Sequence, residues 1–323
     1  MKKVFITGGS GFVGQSLIPL LVEKGYLVSA LARSQSAIDK VEKLGAVAIE
    51  GDVNNTEAIT KGVKNAETVF HLAGYVDFFA SEKELYDLHV KGTDLVLRES
   101  QKAGVTNFVY LGAASVIMNG RPIKNADEGF ISDHLIDGYS KTKLAAEKLV
   151  LEANASSFRT ISIRPPLIWG KGDPNLPEIM EAIRKGQMQF IGDGLHKIVT
   201  GNVKNVCEAL LLAEQRGTGG EFYFITDGEQ VVFKDFIRKY LATQGVAVPD
   251  KFVSIGTAKF IAGVMEFFWK IFRLKGHPPL YRAMINILGI EFITSDAKAR
   301  KDLGYKSFVT VEQGLAVMRS PEI

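Results

Sequence analysis

The stretch that decides the fold is "KVFITGGSGFVG", residues 3–14. A short apolar run passes through glycines into the helical pattern "FVGQSLIPLLVEKG". In dinucleotide-binding folds the first glycine of such a loop allows a tight turn, the second lets a pyrophosphate approach, and the third lets helix and strand pack closely. The helix N-terminus then faces the phosphates. The predicted cofactor contacts of this loop are Gly8, Gly11, Phe12, Val13 and Gly14.

Further apolar runs follow, separated by longer helical patterns. Together with the first run they lie at 3–9, 27–33, 47–53, 68–74, 107–113, 160–166 and 221–228. Strands that are apolar throughout and alternate with helices predict a parallel sheet covered on both faces. Right-handed crossovers then give an α/β fold of the Rossmann type, with a doubly wound parallel sheet.

The regular alternation of strand and helix patterns ends after Trp169, where "GKGDPNLPE" is rich in glycine and proline. We predict a dinucleotide-binding Rossmann domain from residues 1–170 and 199–226. Residues 171–198 and 227–323 are predicted to form a smaller, mostly helical C-terminal substrate lobe.

The end of the second predicted strand indicates the cofactor. An NAD site usually has an acidic residue there to bind the ribose hydroxyls, but this strand ends in Arg33 and Ser34. A guanidinium grips a 2′-phosphate through charge-assisted bonds, so NADP(H) is favoured over NAD. The ends of the third and fourth strands would flank the adenine and the middle of the dinucleotide, although they also suit ordinary strand ends. These residues are Asp52, Val53, Leu72, Ala73 and Gly74.

The segment "YSKTK" places Tyr139 and Lys143 one helical turn apart on the same face. A tyrosine with a pKa near 10 is a poor acid–base catalyst at neutral pH, and a neighbouring ammonium is expected to lower that pKa. Such a pair can exchange a proton with a carbonyl oxygen while a nicotinamide carries the hydride.

Composition limits the other classes of function. The 323 residues carry a formal net charge of +3 and show no basic cluster with interleaved aromatics, so we expect no nucleic acid partner. The five histidines lack metal-ligand spacing, and we expect no metal. The single cysteine, Cys207, lies in a helical pattern and is expected to be buried. "MKKVFITGG" lacks the features of a signal peptide, which predicts a cytoplasmic protein.

The most hydrophobic window, residues 255–274, is long enough to cross a bilayer. Its charged residues lie along one side of a helix and its large apolar residues along another, which predicts an amphipathic helix and no integral membrane span. We expect the apolar side to pack within the C-terminal lobe. Contact with a membrane surface or a lipid substrate is the alternative. The apolar side comprises Phe260, Val264, Phe267, Phe268 and Ile271.

The motifs "TGGSGFVG", "GDV", "HLAG", "HVKGT", "YSKTK" and "IRPPLIWGKGD" together resemble an extended short-chain dehydrogenase/reductase. "EFYFITDG" and "SDAKARKDLGYKSFVTVEQGL" resemble its 3β-hydroxysteroid dehydrogenase branch. The resemblance implies that Tyr139 is the acid–base and Lys143 its partner, and that Pro165, Pro166 and Ile168 lie along the nicotinamide. His89 stands where relatives usually have asparagine, so we transfer no role to it.

The resemblance also implies a serine or threonine that donates to the reacting carbonyl, yet alanine stands at that position, Ala113. Ser115 follows two residues later. On an extended strand it would face the same side as Ala113, about 6–7 Å further along. We predict Ser115 as the replacement donor, with Asn119 and Ser140 as other candidates and an ordinary polar turn residue as the alternative.

These observations predict an NADP(H)-dependent oxidoreductase that interconverts a hydroxyl and a ketone or aldehyde. The Phe/Trp-rich helix and the scarcity of cations at 171–198 indicate an apolar small-molecule substrate, sterol-like or β-keto lipid-like. The alternatives are a nucleotide-sugar epimerase or reductase and a non-catalytic NADPH-binding sensor or scaffold, which Ala113 would suit. The resemblance implies a homodimer formed through helices at 83–103 and 139–154.

Overall fold

The computed structural model describes residues 1–274 and 276–319. In these residues the strands are β1 (Lys3–Thr7), β2 (Leu27–Ala32), β3 (Val47–Glu50), β4 (Thr68–His71), β5 (Asn107–Leu111), β6 (Ile123–Ala126), β7 (Arg159–Arg164), β8 (Leu167–Trp169), β9 (Phe190–Ile191), β10 (Lys197–Asn202), β11 (Glu221–Phe224), β12 (Gln230–Val232), β13 (Phe252–Val253) and β14 (Phe292–Thr294).

The α-helices of the same residues are α1 (Phe12–Glu23), α2 (Gln35–Lys43), α3 (Thr56–Val63), α4 (Glu82–Tyr86), α5 (Gly92–Lys102), α6 (Gly138–Glu152), α7 (Leu176–Arg184), α8 (Val203–Arg216), α9 (Phe233–Ala242), α10 (Ile255–Ile271), α11 (Arg282–Leu288), α12 (Ala297–Leu303) and α13 (Val311–Arg319). A π-helical turn, Asp87–Lys91, joins α4 to α5, and a 3₁₀ turn, Ala114–Ile117, follows β5.

The main sheet has seven parallel strands in the order β11-β7-β5-β4-β1-β2-β3. This order confirms the predicted Rossmann-type sheet, and each of the seven apolar runs coincides with one of its strands, although β7 begins one residue before its run. The runs are longer than the strands because their last residues leave the sheet. Consequently Gly8, Arg33, Asp52, Gly74 and Gly112 all follow the carboxyl ends of parallel strands, the edge where ligands bind in such folds.

Helices cover both faces of this sheet. On one face α1 and α8 pack against the buried side of β1, β2 and β7, and Cys207 of α8 is buried there as predicted. Burial raises the pKa of its thiol, so it behaves as a small apolar side chain. On the other face α3, α5 and α6 pack over Phe5, Val69 and Phe108. Both faces of the sheet are therefore covered by helices, as a parallel sheet requires.

A smaller sheet runs in the order β12-β10-β14-β6, with β8 also pairing with β10. The C-terminal region around it is mainly helical, as predicted, but the sheet itself was not foreseen. Its strands are only three to six residues long, too short for an alternating pattern to stand out. β6 and β8 come from the segment assigned to the Rossmann domain, and the proposed boundaries between the two lobes stay a prediction.

The amphipathic segment forms α10, whose helical character was predicted correctly. The expectation that its apolar side packs within the lobe is wrong, because Phe260 is 74% exposed and Phe267 is 59% exposed. The buried residues of the helix are instead the small Ala258 and Ala262. No helix in residues 1–274 and 276–319 is both long enough and apolar enough to cross a membrane.

Candidate active site

The glycine loop between β1 and α1 is a tight cradle. Gly8 has φ +73°, and a Cβ there would lie 2.7 Å from the backbone nitrogen of Ala73. A Cβ on Gly14 would lie 2.4 Å from the Gly8 oxygen. Gly11 begins α1 with no side-chain cap, and the first turn holds no acidic residue. Uncapped backbone N–H groups at a helix N-terminus suit a pyrophosphate, so the residues present fit a dinucleotide.

The two neighbouring residues, Phe12 and Val13, pack against the hydrophobic core. Val13 is buried and Phe12 packs against the same cluster, so both would offer a cofactor their backbone groups more readily than their side chains.

A buried polar network supports this loop from below. Thr7 and His71 share a hydrogen bond of 2.6 Å between Oγ1 and Nδ1, and His71 Nε2 lies 2.9 Å from Thr93 Oγ1. The Thr7 hydroxyl also accepts from the backbone nitrogen of Ala73 at 3.2 Å. Burial lowers the pKa of His71 to about 3, so the ring is neutral. The network ties the end of β1 to the end of β4, and sequence reasoning missed it because no motif marks Thr7, His71 and Thr93 together.

Arg33 and Ser34 lie directly after β2 and both are exposed. The Ser34 hydroxyl accepts from the backbone nitrogen of Ala37 and so caps α2. The first turn of α2 contains no acidic residue. The strand end is therefore free of the carboxylate that would repel a 2′-phosphate.

The ends of β3 and β4 hold the other predicted cofactor residues. Asp52 is exposed and accepts from the backbone of Asn54, while Val53 is buried. Leu72 is buried, Ala73 is half-buried and Gly74 is exposed. The direction of a Cβ on Gly74 points toward His89 and Lys143, with His89 Nε2 at 3.8 Å and Lys143 Nζ at 4.0 Å. The fourth strand end thus lies beside the predicted catalytic helix.

Asp137 starts that helix, α6, because its carboxylate accepts from the backbone nitrogen of Ser140 at 2.7 Å. Tyr139 therefore lies in the first turn and Lys143 one turn later, and both are buried. The Tyr139 ring packs edge-on against Phe78 at 4.8 Å and against His89 at 5.5 Å between ring centres. The predicted pair is brought together in an environment of aromatic rings.

Lys143 donates to the backbone oxygen of Leu111 at 2.7 Å, and its Nζ lies 4.2 Å from the centre of the Tyr110 ring. Burial lowers the pKa of Lys143 to about 7. Burial also raises the pKa of Tyr139, and the negative charge of Asp137 adds to that. Lys143 loses its proton well before Tyr139 ionises, so the expected lowering of the tyrosine pKa by an ammonium is wrong for this state. With its pKa raised, Tyr139 is a neutral phenol.

Replacing Lys143 with methionine is expected to flatten the pH dependence of folding stability in alkaline solution. The folded-state pKa lies near 7 and the ordinary value is 10.5, so the unfolded chain binds more protons between those values. Stability of the parent protein then rises with pH across this window, by at least about 1.4 kcal/mol, the free energy of one pKa unit. Urea unfolding of both proteins from about pH 7 to pH 9.5 measures the difference. Parallel curves would contradict the lowered pKa.

His89 lies in the π-helical turn between α4 and α5, a distortion that is frequent at functional sites. Its Nε2 accepts from the backbone nitrogen of Tyr75 at 3.2 Å, and its Nδ1 lies 2.9 Å from Thr142 Oγ1. The Thr142 hydroxyl donates to the Gly138 oxygen, so the histidine proton is on Nδ1. Burial and the charge of Lys143 lower the pKa of His89 to about 3. Both ring nitrogens are satisfied locally, and His89 helps to hold Tyr139.

The chain after β5 does not continue as an extended strand. β5 ends at Leu111, Ala113 is extended, and Ala114–Ile117 turns into a 3₁₀ helix. The expectation that Ser115 faces the same side as Ala113 along a strand is wrong, because residue alternation ends with the strand. The 3₁₀ turn contacts α6, and Ala113 and Tyr139 share one apolar cluster. In the described part of the chain the buried Ser115 hydroxyl has no hydrogen-bond partner.

The two other candidate donors are engaged elsewhere. The Ser140 hydroxyl is buried and donates to the Asp137 carboxylate at 3.0 Å. The Asn119 amide donates to Asp133 at 3.3 Å, and its oxygen accepts from the backbone of Arg121. Of these three groups, only the Ser115 hydroxyl is buried without a hydrogen-bond partner among the described residues, which keeps it a candidate donor.

The predicted nicotinamide residues follow β7. Pro165 accepts from the backbone nitrogen of Ala114 at 2.9 Å, which fixes the 3₁₀ turn against the end of β7. Pro166 and Ile168 are half-buried, and Ile168 pairs with Gly201 of β10. These residues thus lie at the carboxyl end of the sheet beside the segment that carries Ser115.

A parallel sheet with a glycine loop after β1, and a tyrosine–lysine pair on α6, packed beside the turn that follows β5, define an extended short-chain dehydrogenase/reductase. The chain belongs to the 3-beta hydroxysteroid dehydrogenase/isomerase family, whose model matches residues 5–254. This membership confirms the predicted relationship and places the chain among the NAD(P)-dependent dehydrogenases and reductases of that type.

The similar proteins agree with this assignment. The chain is 36% identical to a 4-hydroxy-2-methyl-3-oxo-4-farnesyl-3,4-dihydroquinoline-1-oxide ketoreductase of Stigmatella aurantiaca, covering 98% of this chain and 96% of the relative. It is 33% identical to a 2-alkyl-3-oxoalkanoate reductase of Stenotrophomonas maltophilia, covering 98% of both. Among solved structures, UDP-glucose 4-epimerase of Thermotoga maritima superposes with a TM-score of 0.77 at 20% identity, over 98% of this chain and 97% of that one. This last likeness concerns the fold alone.

Proposed function

We propose that this protein is an NADP(H)-dependent oxidoreductase that interconverts a hydroxyl and a ketone or aldehyde on an apolar small molecule. One observation carries the proposal. The neutral Tyr139 phenol, the lowered pKa of Lys143 and the unpaired Ser115 hydroxyl occur in elements that meet at the carboxyl edge of a dinucleotide-binding sheet. A proton donor, a titratable partner and a spare hydrogen-bond donor are the groups that carbonyl reduction needs.

When bound, the nicotinamide supplies hydride in reduction and takes it up in oxidation. Tyr139 holds the proton that passes to the carbonyl oxygen, and its raised pKa keeps that proton in place until the oxygen gains negative charge. Lys143, whose pKa lies near neutrality, is able to return a proton to Tyr139 after the transfer. Ser115 donates a second hydrogen bond to the same oxygen.

The apolar character of the site favours an apolar substrate. Tyr139 and Ala113 belong to a cluster with Val116, Ile117 and Phe78. The two relatives above are named for a farnesyl-bearing quinoline oxide and for 2-alkyl-3-oxoalkanoates, both with hydrocarbon chains. We therefore propose β-keto lipids or sterol-like ketones. The test is NADPH oxidation with a panel of β-keto lipids, steroids and aldehydes.

The nucleotide-sugar alternative is compatible with the fold, and the choice of ligand separates it from the proposed function. An affinity for UDP-sugars with no turnover of apolar ketones would favour it. Tight NADPH binding without turnover of any ketone, together with no effect of Tyr139→Phe, would favour a non-catalytic sensor.

Replacing Arg33 with alanine is expected to weaken NADPH binding about 10- to 100-fold while changing NADH binding little. The exposed guanidinium follows β2 with no acid in the first turn of α2, and charge-assisted bonds to a phosphate have this magnitude. Fluorescence titration with both cofactors measures it. Arg98→Ala, at an exposed arginine of α5, is the matched control. Equal loss for the two cofactors would contradict 2′-phosphate recognition.

The oligomeric state, the cellular compartment and the division into two lobes also stay proposals. We propose a homodimer built through α4–α5 and α6, in the cytoplasm, with the substrate lobe formed by residues 171–198 and 227–323. Light scattering of the purified protein tests the dimer directly.

A further inference from the structure

A buried ion pair lies beside the candidate active site, between α6 and the end of β7. Glu147 of α6 and Arg164 of β7 are both buried, and the guanidinium Nε lies 3.0 Å from each carboxylate oxygen. Its Nη2 also donates to the carboxylate, and the Ser162 hydroxyl donates to Glu147 Oε1 at 2.5 Å. The cost of desolvation offsets most of the attraction inside a buried pair, so folding stability alone is a poor reason for its presence.

The segment after β5 rests directly on this pair. A Cβ on Gly112 would lie 2.6 Å from Ser162 Oγ and 2.9 Å from Glu147 Oε1, so only a glycine lets the backbone come this close. The backbone nitrogen of Gly112 donates to the Ile163 oxygen at 2.8 Å. The ion pair and β7 together therefore set the position of Gly112, from which the chain enters the 3₁₀ turn that contains Ser115.

The same carboxylate also acts on Lys143, which lies one helical turn before it on the same side of α6. Burial lowers the pKa of Lys143 to about 7, and the negative charge of Glu147 opposes that lowering. Four other titratable groups surround Lys143, and none of these four ionises near neutrality. Burial lowers the pKa of the first two to about 3 and raises the pKa of the last two; they are His71, His89, Tyr110 and Tyr139. Near pH 7 the charge of Glu147 therefore decides how readily Lys143 holds a proton.

We propose that the Glu147–Arg164 pair is a positioning element of the active site. It holds the backbone of Gly112, and with it Ser115, in a fixed place against α6, and it sets a negative charge beside Lys143. Neither residue of the pair is catalytic, because each acts through Lys143 or through the turn after β5. The effect on turnover rests on the proposed function, whereas the position of the turn is measurable without any reaction.

Hydrogen–deuterium exchange tests the positioning of the turn. The variant Glu147→Leu/Arg164→Met removes both charges together, because loss of one partner leaves the other charge buried and unpaired. Apolar replacement of a whole pair usually leaves folding intact. The peptide 112–116 should nevertheless exchange about tenfold faster or more, as its hydrogen bonds to the end of β7 weaken. Gly112→Ala should have the same effect with the pair intact, since the φ of Gly112 is not in the left-handed region and only the added Cβ collides with the pair.

The pH dependence of kcat for ketone reduction tests the role of the charge. Glu147→Gln/Arg164→Gln keeps hydrogen-bonding groups of similar size and removes the carboxylate that favours a protonated Lys143. The pKa of Lys143 should fall by about half a unit or more, as expected when an opposite charge is lost nearby. Protonated Lys143 is lost as pH rises through its pKa, so the fall of kcat near neutrality should move to lower pH by the same amount. Glu147→Asp keeps the charge and should retain the profile of the parent.

Glu214→Gln is the matched control, because Glu214 of α8 is also buried and ion-paired, with Lys2 at 2.9 Å, beside the amino end of β1. It should leave the exchange of peptide 112–116 and the pH profile as in the parent. Parental exchange of this peptide in the folded Leu/Met variant and in Gly112→Ala would overturn the positioning, and the pair would then be structural only. A parental pH profile in the double glutamine variant would overturn the role of the charge. Absence of turnover in the parent would contradict the proposed function alone, because the exchange result decides the positioning by itself.

Discussion

Replacing Tyr139 with phenylalanine is expected to lower kcat for ketone reduction by about 100- to 10,000-fold, the usual contribution of a positioned general acid. NADPH affinity should stay within about twofold, because the change removes one oxygen and keeps the ring. The measurement is steady-state NADPH oxidation together with a fluorescence titration of cofactor binding.

The size of this effect follows from the surroundings of the phenol. Tyr139 is buried against Phe78 and His89, and His89 is neutral with its proton committed to Thr142. Ser140 is committed to Asp137. The groups next to Tyr139 are therefore poorly placed to deliver a proton in its stead, and a variant without the phenol has to use water or Lys143.

Tyr110→Phe, on the strand β5, provides a matched control for the same chemical change. Tyr110 is fully buried, its ring lies under Lys143, and in the described residues its hydroxyl has no hydrogen-bond partner. Removing that hydroxyl is expected to leave kcat nearly unchanged and folding stability equal or slightly higher. Equal losses of turnover in the two variants would show that the environment of α6, not the Tyr139 proton, controls the rate.

Sequence reasoning found the main sheet, and it could name candidate site residues, because both depend on local patterns. Spacing within one or two elements reveals the strand "KVFIT" with the glycines that follow it. The same holds for Tyr139, which lies four residues before Lys143. Burial and pKa are not local. The pKa of Lys143 depends on how deeply α6 packs on β5, and the satisfaction of His89 depends on Tyr75 and Thr142 from two other segments. These quantities arise only when the chain is folded.

The errors have physical causes of the same kind. The turn after β5 was expected to be extended, but the backbone nitrogen of Ala114 bonds to Pro165 and the chain closes into a 3₁₀ turn. The apolar side of α10 was expected to be buried because large apolar residues usually are. Periodicity shows that a helix has two sides, but it does not show which side meets the protein.

Replacing Ser115 with alanine is expected to lower kcat by about 100- to 1000-fold, the effect of removing one hydrogen-bond donor to a developing oxyanion. NADPH affinity should not change. Folding stability should be unchanged or slightly higher, since a buried hydroxyl without a partner contributes nothing in the absence of a ligand. Activity and urea unfolding, measured on the same preparation, give both values.

The activity and the folding stability of Ser115→Ala together decide whether Ser115 is a donor to the substrate. A structural serine would lose stability and activity together, whereas a donor kept for the substrate loses activity alone. If Ser115→Ala gains stability and keeps its full rate, Ser115 is only an unsatisfied turn residue, and the site works with Tyr139 as its one donor.

Adding Ala113→Ser to the Ser115→Ala variant completes the test. Ala113 is 8% exposed and shares a cluster with Tyr139. The resemblance implies that a serine at this position donates to the reacting carbonyl oxygen, so a hydroxyl at residue 113 is expected to lie near that oxygen. Recovery of about tenfold or more would show that the two positions supply one hydrogen bond to one place, since a single good donor is worth that much or more. No recovery, with folding intact, would mean that the 3₁₀ turn has moved the donor position from residue 113 to residue 115. In that case the backbone bond between Ala114 and Pro165, which sets the turn, determines which residue can act on the substrate.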